Sequence, residues 1–173
     1  PIEWTADGWY RTKSTATPIK TDPSIKHGLS LSDDFEGPEP GLQWTFWKEY
    51  APQSLSFKKQ TLWIDAKGST PSDARLLLAT AEDKNYETQV EVNVGKGNTA
   101  GLLLYYSEKA YAGVVSDGKN FTIYRNAENS FTLPNKLGKR FLAKIQNQGN
   151  SVRMAVSKDG KEWTTLVENM DVS

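Results

Sequence analysis

Cysteine is absent from the sequence and histidine occurs once, as His27. Without thiols there can be no disulfide framework, no thiol nucleophile and no Cys-ligated zinc. A single histidine beside Gly28 cannot build a multi-histidine metal cage and is a poor base for a buried triad, so it is expected to be a solvent-exposed residue. The lack of cysteine suits cytoplasm, periplasm and exterior equally, which leaves the compartment open. A surplus of either charge is also missing: 21 basic residues face 21 acidic ones and the formal net charge is zero. Nucleic acid and anionic membrane surfaces are therefore not expected partners. No apolar run approaches the roughly 18 residues needed to cross a bilayer, and the start carries neither Met nor the basic, apolar and small-residue blocks of a signal peptide. A chain beginning at Pro1 is expected to be a piece of something longer.

Nucleotide and nucleophile motifs are lacking too. There is no G-x-S-x-G and no P-loop, and GKGNTAG (Gly95 to Gly101) has neither the spacing nor the following helix of a dinucleotide fingerprint. Amphipathic helical repeats are also missing. ARLLLATAEDK alone has some helical propensity, but its apolar block is too short, and it is read as a strand and turn.

What is present from Leu29 onward is strand pattern: short runs rich in β-branched and aromatic residues, punctuated by Gly, Asn and Asp about every ten residues. In YETQVEVNV, Tyr86, Thr88, Val90, Val92 and Val94 point one way and Glu87, Gln89, Glu91 and Asn93 the other. One hydrated face predicts an antiparallel sheet. Phe141, Ala143 and Ile145 alternate, QGN turns the chain, and Val152, Met154 and Val156 alternate back; Asp159 and Gly160 then supply another turn before a strand at Trp163. With TLWID, RLLLA, AGLLLYY, AGVVS and FTIYR this makes about ten to thirteen strands. The expected fold is an all-β, antiparallel two-sheet β-sandwich. Arg11 to Gly28, TKSTATPIKTDPSIKHG with its preceding arginine, has two prolines and little periodicity and reads as a linker. The expected organisation is residues 1–10 belonging to a neighbouring domain, 11–28 as linker and 29–173 as the sandwich.

Three groups of residues could carry function. Glu87 and Glu91 share a strand face at a spacing that carboxylate pairs of sandwich hydrolases use, but they have no companion acid in an E-x-D-x-E row and are read as a solvated face. DDFEG (Asp33 to Gly37) crowds three carboxylates at the start of the first strand. It either offers hard oxygen ligands to a structural calcium, with Asp34 and Glu36 sharing a face, or places charges that discourage pairing at a sheet edge. Finally, Trp44, Trp47 and Tyr50 in QWTFWKEY, together with Tyr105, Tyr106, Tyr111 and Tyr124, offer flat faces on which pyranose rings stack, with Arg125 or Glu49 bonding to hydroxyls. Each aromatic could equally be core. Alternation places Trp44 and Phe46 opposite Trp47, so the two tryptophans cannot both point inward.

The order of these motifs is itself informative. LSDDFEG, LQWTFW, the Y-E-x-x-V-E-V strand, AGLLLYYSEKAYAG, FTIYR and SKDGKEWTTL together resemble the C-terminal concanavalin A-like sandwich of family 43 glycoside hydrolases, the β-xylosidases and α-L-arabinofuranosidases. The resemblance runs from about Leu31 to the end and implies a concanavalin A-like jelly roll. PIEWTADGWYR looks like the last strand of that family's catalytic five-bladed propeller. The family's catalytic Asp and Glu residues lie in the propeller and match no position here, so the resemblance implies a noncatalytic chain. It implies an accessory module of a xylan-degrading enzyme that binds or orients xylo-oligosaccharide or arabinoxylan and packs on the propeller. The alternative is a purely structural domain that supports the propeller and touches no sugar. It also implies secretion or a periplasmic location. The family sandwich usually continues with a further strand where this chain stops at NMDVS, so that final strand is expected to be lacking.

Overall fold

Period-2 burial organises the chain. The computed structural model describes residues 2–12, 30–81 and 83–173, and the chain divides into two units, Pro1–Ser30 and Leu31–Ser173. His27 and nearly all of the expected linker lie outside the described residues.

In the first unit, β1 (Ile2–Trp4) and β2 (Tyr10–Thr12) form an antiparallel hairpin in which Trp4 opposes Tyr10. The segment is a hairpin of two short strands because TADG folds it back on itself. Gly8 takes φ of 83° and its N–H donates to the Thr5 carbonyl at 3.0 Å, while the Thr5 N–H donates to the Trp9 carbonyl at 2.7 Å. A side chain at position 8 would be strained in that left-handed conformation. Trp4 and Tyr10 meet edge to face at 6.2 Å. Strand β2 continues two residues beyond the expected boundary at residue 10.

The second unit has no α-helix among its described residues, only a 3₁₀ turn at Pro52–Ser54. Its first sheet has the order β11 (Ser130–Pro134), β10 (Asn120–Tyr124), β9 (Tyr111–Ser116), β8 (Ala100–Tyr105). Its second has the order β14 (Trp163–Asp171), β13 (Ser151–Ser157), β12 (Arg140–Gln148), β7 (Asn85–Asn93). All neighbours in both sheets are antiparallel. Two short ribbons precede them: β3 (Thr45–Phe46) with β6 (Leu77–Leu78), and β4 (Leu55–Phe57) with β5 (Leu62–Ile64). The fold is the expected all-β sandwich of two antiparallel sheets.

The core lies between the sheets. Ala112, Val114, Phe121 and Ile123 come from the first sheet and Val92, Phe141, Ala143, Ile145, Val152, Met154 and Val156 from the second, all buried in one cluster. Phe121 and Phe141 meet edge to face across the gap, 5.1 Å between centroids and 84° between planes, an arrangement the ring quadrupoles favour. The opposite face of the second sheet is wet, as the alternation in YETQVEVNV predicts. There Glu87 pairs with Lys144 at 2.9 Å and accepts from Gln146, Glu91 pairs with Arg140 at 2.7 Å, and Lys144 lies 4.2 Å above the Trp163 ring. Asp-Gly turns close the β9–β10 and β13–β14 hairpins. Asp117 accepts the N–H groups of Lys119 and Asn120, both at 2.7 Å, and Asp159 those of Lys161 and Glu162 at 2.9 and 3.1 Å. These backbone donors hold both carboxyls below their ordinary value of 3.8.

Two expectations follow. Phe141→Ala removes a side chain with no solvent exposure and should cost about 3–5 kcal/mol in denaturant unfolding, whereas exposed Leu42→Ala should cost almost nothing. Because folding depresses the carboxyl values of Asp117 and Asp159, their contribution is complete above the unfolded value and is lost as pH falls through the folded one. The double variant Asp117→Ala, Asp159→Ala should therefore be less stable than wild type at neutral pH and lose less on acidification; parallel acid limbs would contradict this.

Candidate functional site

Asp33 organises the aromatic segment that precedes the sheets. Its carboxylate accepts from the Phe35 N–H at 2.8 Å, from Gln43 Nε2 at 3.0 Å and from Trp44 Nε1 at 2.7 Å. Phe35 has φ of 57°, a costly conformation for a bulky L-residue. It is held by the Asp33 bond and by stacking on Trp44 at 5.9 Å and contact with Phe57 at 6.4 Å. DDFEG is therefore an irregular turn and not the start of a strand, because Asp33 supplies a side-chain acceptor that competes with sheet pairing. Trp44, half-buried with its N–H committed, is a structural residue and not a free platform.

The same turn bears on metal binding. Asp34 and Glu36 are both exposed; Asp34 accepts from the Glu36 N–H at 3.2 Å and Glu36 from the Gln60 side chain. Among the described residues no group of three or more His, Cys, Asp or Glu converges as a metal cluster. Calcium takes six to eight oxygens, backbone carbonyls and waters among them, so Asp34 and Glu36 would supply only part of its shell.

A continuous aromatic row does assemble on the first sheet. Leu102 and Leu104, Ala112 and Val114, and Phe121 and Ile123 point to the core, so alternation sends Tyr105, Tyr111 and Tyr124 to the opposite face. Tyr105 opposes Tyr111 in the ladder and stacks on it at 5.8 Å with only 8° between rings; Tyr111 meets Tyr124 at 5.5 Å, and Trp47 caps the row by packing edge-on against Tyr105 at 5.2 Å. Tyr111 is only 4% exposed although it stands on an outer face. Its hydroxyl donates to Ser72 Oγ at 3.2 Å, and Ser72 donates in turn to the Glu108 carbonyl at 2.8 Å. Burial pushes the Tyr105 and Tyr124 phenols above their ordinary value. Trp47 Nε1 and the Tyr105 hydroxyl are buried and have no hydrogen-bond partner among the described residues.

Beside Trp47 lies a solvent-open cleft of about 230 Å³ whose walls include Phe46, Lys48, Glu49, Lys67, Ser72, Asp73, Arg75 and Glu108. Lys48 pairs with Glu108, and Lys67 with Glu49 at 2.6 Å; the Lys67 bond and charge, with the field of Arg75, hold the Glu49 carboxyl low. The expected aromatics thus divide. Trp47, Tyr105, Tyr111 and Tyr124 come together, and Glu49 lies in the cleft. Tyr50, 80% exposed, leans edge-on against Phe46 at 5.5 Å. Tyr106, just beyond the end of β8, is 86% exposed, and Arg125 donates to the Asp171 carbonyl at 3.2 Å, tying the ends of β10 and β14. Lys67, Ser72, Asp73 and Arg75 escape sequence reasoning, because they lie on a loop without periodicity; the Ser-Thr-Pro-Ser-Asp run is the one signal that marked it.

Residues 32–173 match the family described as Beta xylosidase C-terminal Concanavalin A-like domain. The chain belongs to this family. Solved structures that resemble this beta-xylosidase C-terminal domain agree with the fold. The GH43 protein BlXynB of Bacillus licheniformis superimposes with a TM-score of 0.71 at 21% identity, covering 99% of this chain and 37% of its own. A xylan beta-1,4-xylosidase from Bacillus halodurans C-125 gives 0.66 at 16% identity and GH43B of a Bacteroides ovatus xyloglucan locus 0.66 at 14%, each covering 99% of this chain and 38% of its own. The chain thus spans little more than a third of the proteins it resembles. No curated protein sequence matches it.

The Asp33 hub can be tested directly. Asp33→Ala leaves the half-buried Trp44 indole N–H and the Phe35 turn without their acceptor and should destabilise the domain by about 1–3 kcal/mol, with a shift in tryptophan emission. Asp34→Ala, at the exposed neighbour whose carboxylate, among the described residues, accepts only from the Glu36 N–H, should change neither by as much.

Proposed function

We propose that this domain is a noncatalytic accessory module of a xylan-degrading family 43 glycosidase, either β-xylosidase or α-L-arabinofuranosidase, and that it binds or orients xylo-oligosaccharide or arabinoxylan. The observation that carries the proposal is the cleft in which Trp47, backed by the row Tyr105, Tyr111 and Tyr124, stands beside charged groups. Sugar sites combine such features: apolar ring faces for pyranose C–H groups and a few polar side chains for hydroxyls. Membership in the beta-xylosidase C-terminal family supports the xylan-type ligand. The hairpin of the first unit is, on this proposal, the closing element of a catalytic propeller, and that propeller is the domain's partner within a secreted or periplasmic enzyme.

The chain's own carboxylates are not arranged for hydrolysis. Glu87 and Glu91 are each neutralised by a separate cation on a wet sheet face, without the shared cleft that a glycosidase acid and base flank. No product release from an aryl xyloside or arabinoside is expected from this chain alone.

A purely structural role, supporting the propeller with no sugar contact, is the second reading. The internal bonding of Tyr111 to Ser72 favours it. Titration calorimetry with xylohexaose separates the two. Sugar binding predicts measurable heat and a change in tryptophan fluorescence that Trp47→Ala abolishes and Trp163→Ala does not; silence at millimolar ligand leaves only the structural role.

A further inference from the structure

The charges of the cleft are not equivalent once their partners are assigned. Lys48 is taken by Glu108 and Lys67 by Glu49. The third acid, Asp73, accepts from the N–H of Thr70 at 2.7 Å, from its hydroxyl at 2.9 Å and from the Ser69 N–H at 3.1 Å. Arg75 remains. It is half-buried and donates through Nη1 to the Asp65 carbonyl at 2.6 Å, and no carboxylate among the described residues lies within ion-pairing distance of it. Glu49 is near enough to feel its field, yet that carboxylate is already bonded to Lys67.

A backbone carbonyl that grips one nitrogen orients a guanidinium without neutralising it. The remaining N–H donors form a planar fork suited to two carboxylate oxygens, and a half-buried fork is screened less than an exposed one. Trp47 shares the cleft and supplies an aromatic wall. The opening of about 230 Å³ lies below the ~300–1,000 Å³ of pockets that enclose a whole ligand, which suits one sugar substituent better than a buried chain.

Resting on the sugar-binding proposal above, we infer that the cleft recognises an acidic sugar, a uronic acid branch on a xylan-type backbone, with Arg75 holding the carboxylate and Trp47 facing the ring. A neutral oligosaccharide engages the aromatic wall and the polar rim but brings no carboxylate to the Arg75 fork. The acidic one adds a charge-assisted pair of hydrogen bonds and loses that increment in salt.

The experiment titrates the whole chain with xylotetraose and with xylotetraose bearing one glucuronic acid branch. The acidic ligand is expected to bind about tenfold more tightly at low ionic strength, the order of a charge-assisted bond, with the preference largely removed near 0.5 M salt. Arg75→Gln should bring the acidic ligand down to the affinity of the neutral one, with an unchanged thermal unfolding midpoint reporting an intact fold. Arg75→Lys, with the charge but not the fork, should retain only part of the preference. Equal affinities for the two ligands in the wild type, or an acidic preference that survives Arg75→Gln, overturn the inference and leave sugar binding standing. Failure of both ligands to bind overturns the sugar-binding proposal with it.

Discussion

The contact between Phe121 and Phe141 joins the two sheets, and much of the molecule follows from keeping it dry. Once Phe121 and Phe141 face each other at 5.1 Å, the period of two along each strand decides every neighbour. Ile123 must point inward with Phe121, and Ala143 and Ile145 with Phe141, as their complete burial records. A one-residue slip of β10 would bring Thr122 and Tyr124 into the core and expose Phe121 and Ile123. At about 25 cal/mol per Å² of apolar surface, such an exchange would cost several kcal/mol, a large share of the stability of an ordinary domain.

The same constraint places the candidate site. Tyr124 faces outward because Ile123 faces inward, and Tyr105 and Tyr111 do so because Leu104 and Ala112 belong to the core. Antiparallel pairing then aligns Tyr105 with Tyr111 and sets Tyr124 opposite Gly113. Gly113 is required there: a Cβ would lie 2.3 Å from the Leu102 carbonyl oxygen and 2.7 Å from the Leu103 side chain. The strands approach closely at that point, and Tyr111 and Tyr124 come into contact on the far side. The aromatic row is thus a by-product of core register, and loops supply what makes it a site, through Trp47 at one end and Ser72 over the Tyr111 hydroxyl.

This division explains what was legible in the sequence. YETQVEVNV, the hairpin around QGN and the Asp159-Gly160 turn are local patterns, and each stands where periodicity put it. The outward positions of Tyr105, Tyr111 and Tyr124 were implied by the same periodicity, but nothing local showed that Tyr111 would then be covered. Asp33 was hidden for a different reason. Its partners Gln43 and Trp44 lie ten and eleven residues away, and DDFEG looks like a strand start until a side-chain acceptor bends it. Likewise TADG inside PIEWTADGWYR is a turn signal outweighed by the apolar residues around it. Arg75 was least visible of all, since which cleft acids already have other partners is a property of tertiary structure alone.

The energetics of the row bear on whether it is complete by itself. Its three ring contacts contribute about 0.5–1.5 kcal/mol each beyond buried area. The buried Trp47 Nε1 and Tyr105 hydroxyl each cost about 1–3 kcal/mol when left unbonded. The gain and the penalty are of the same order, so buried apolar area rather than ring geometry is what holds the row together. Two of the three buried, unbonded side-chain atoms among the described residues belong to this one contact, and the third, Asn147 Oδ1, belongs to β12 of the other sheet. The Trp47–Tyr105 contact is therefore the least well satisfied part of the row, held by the buried area around it rather than by its own polar atoms.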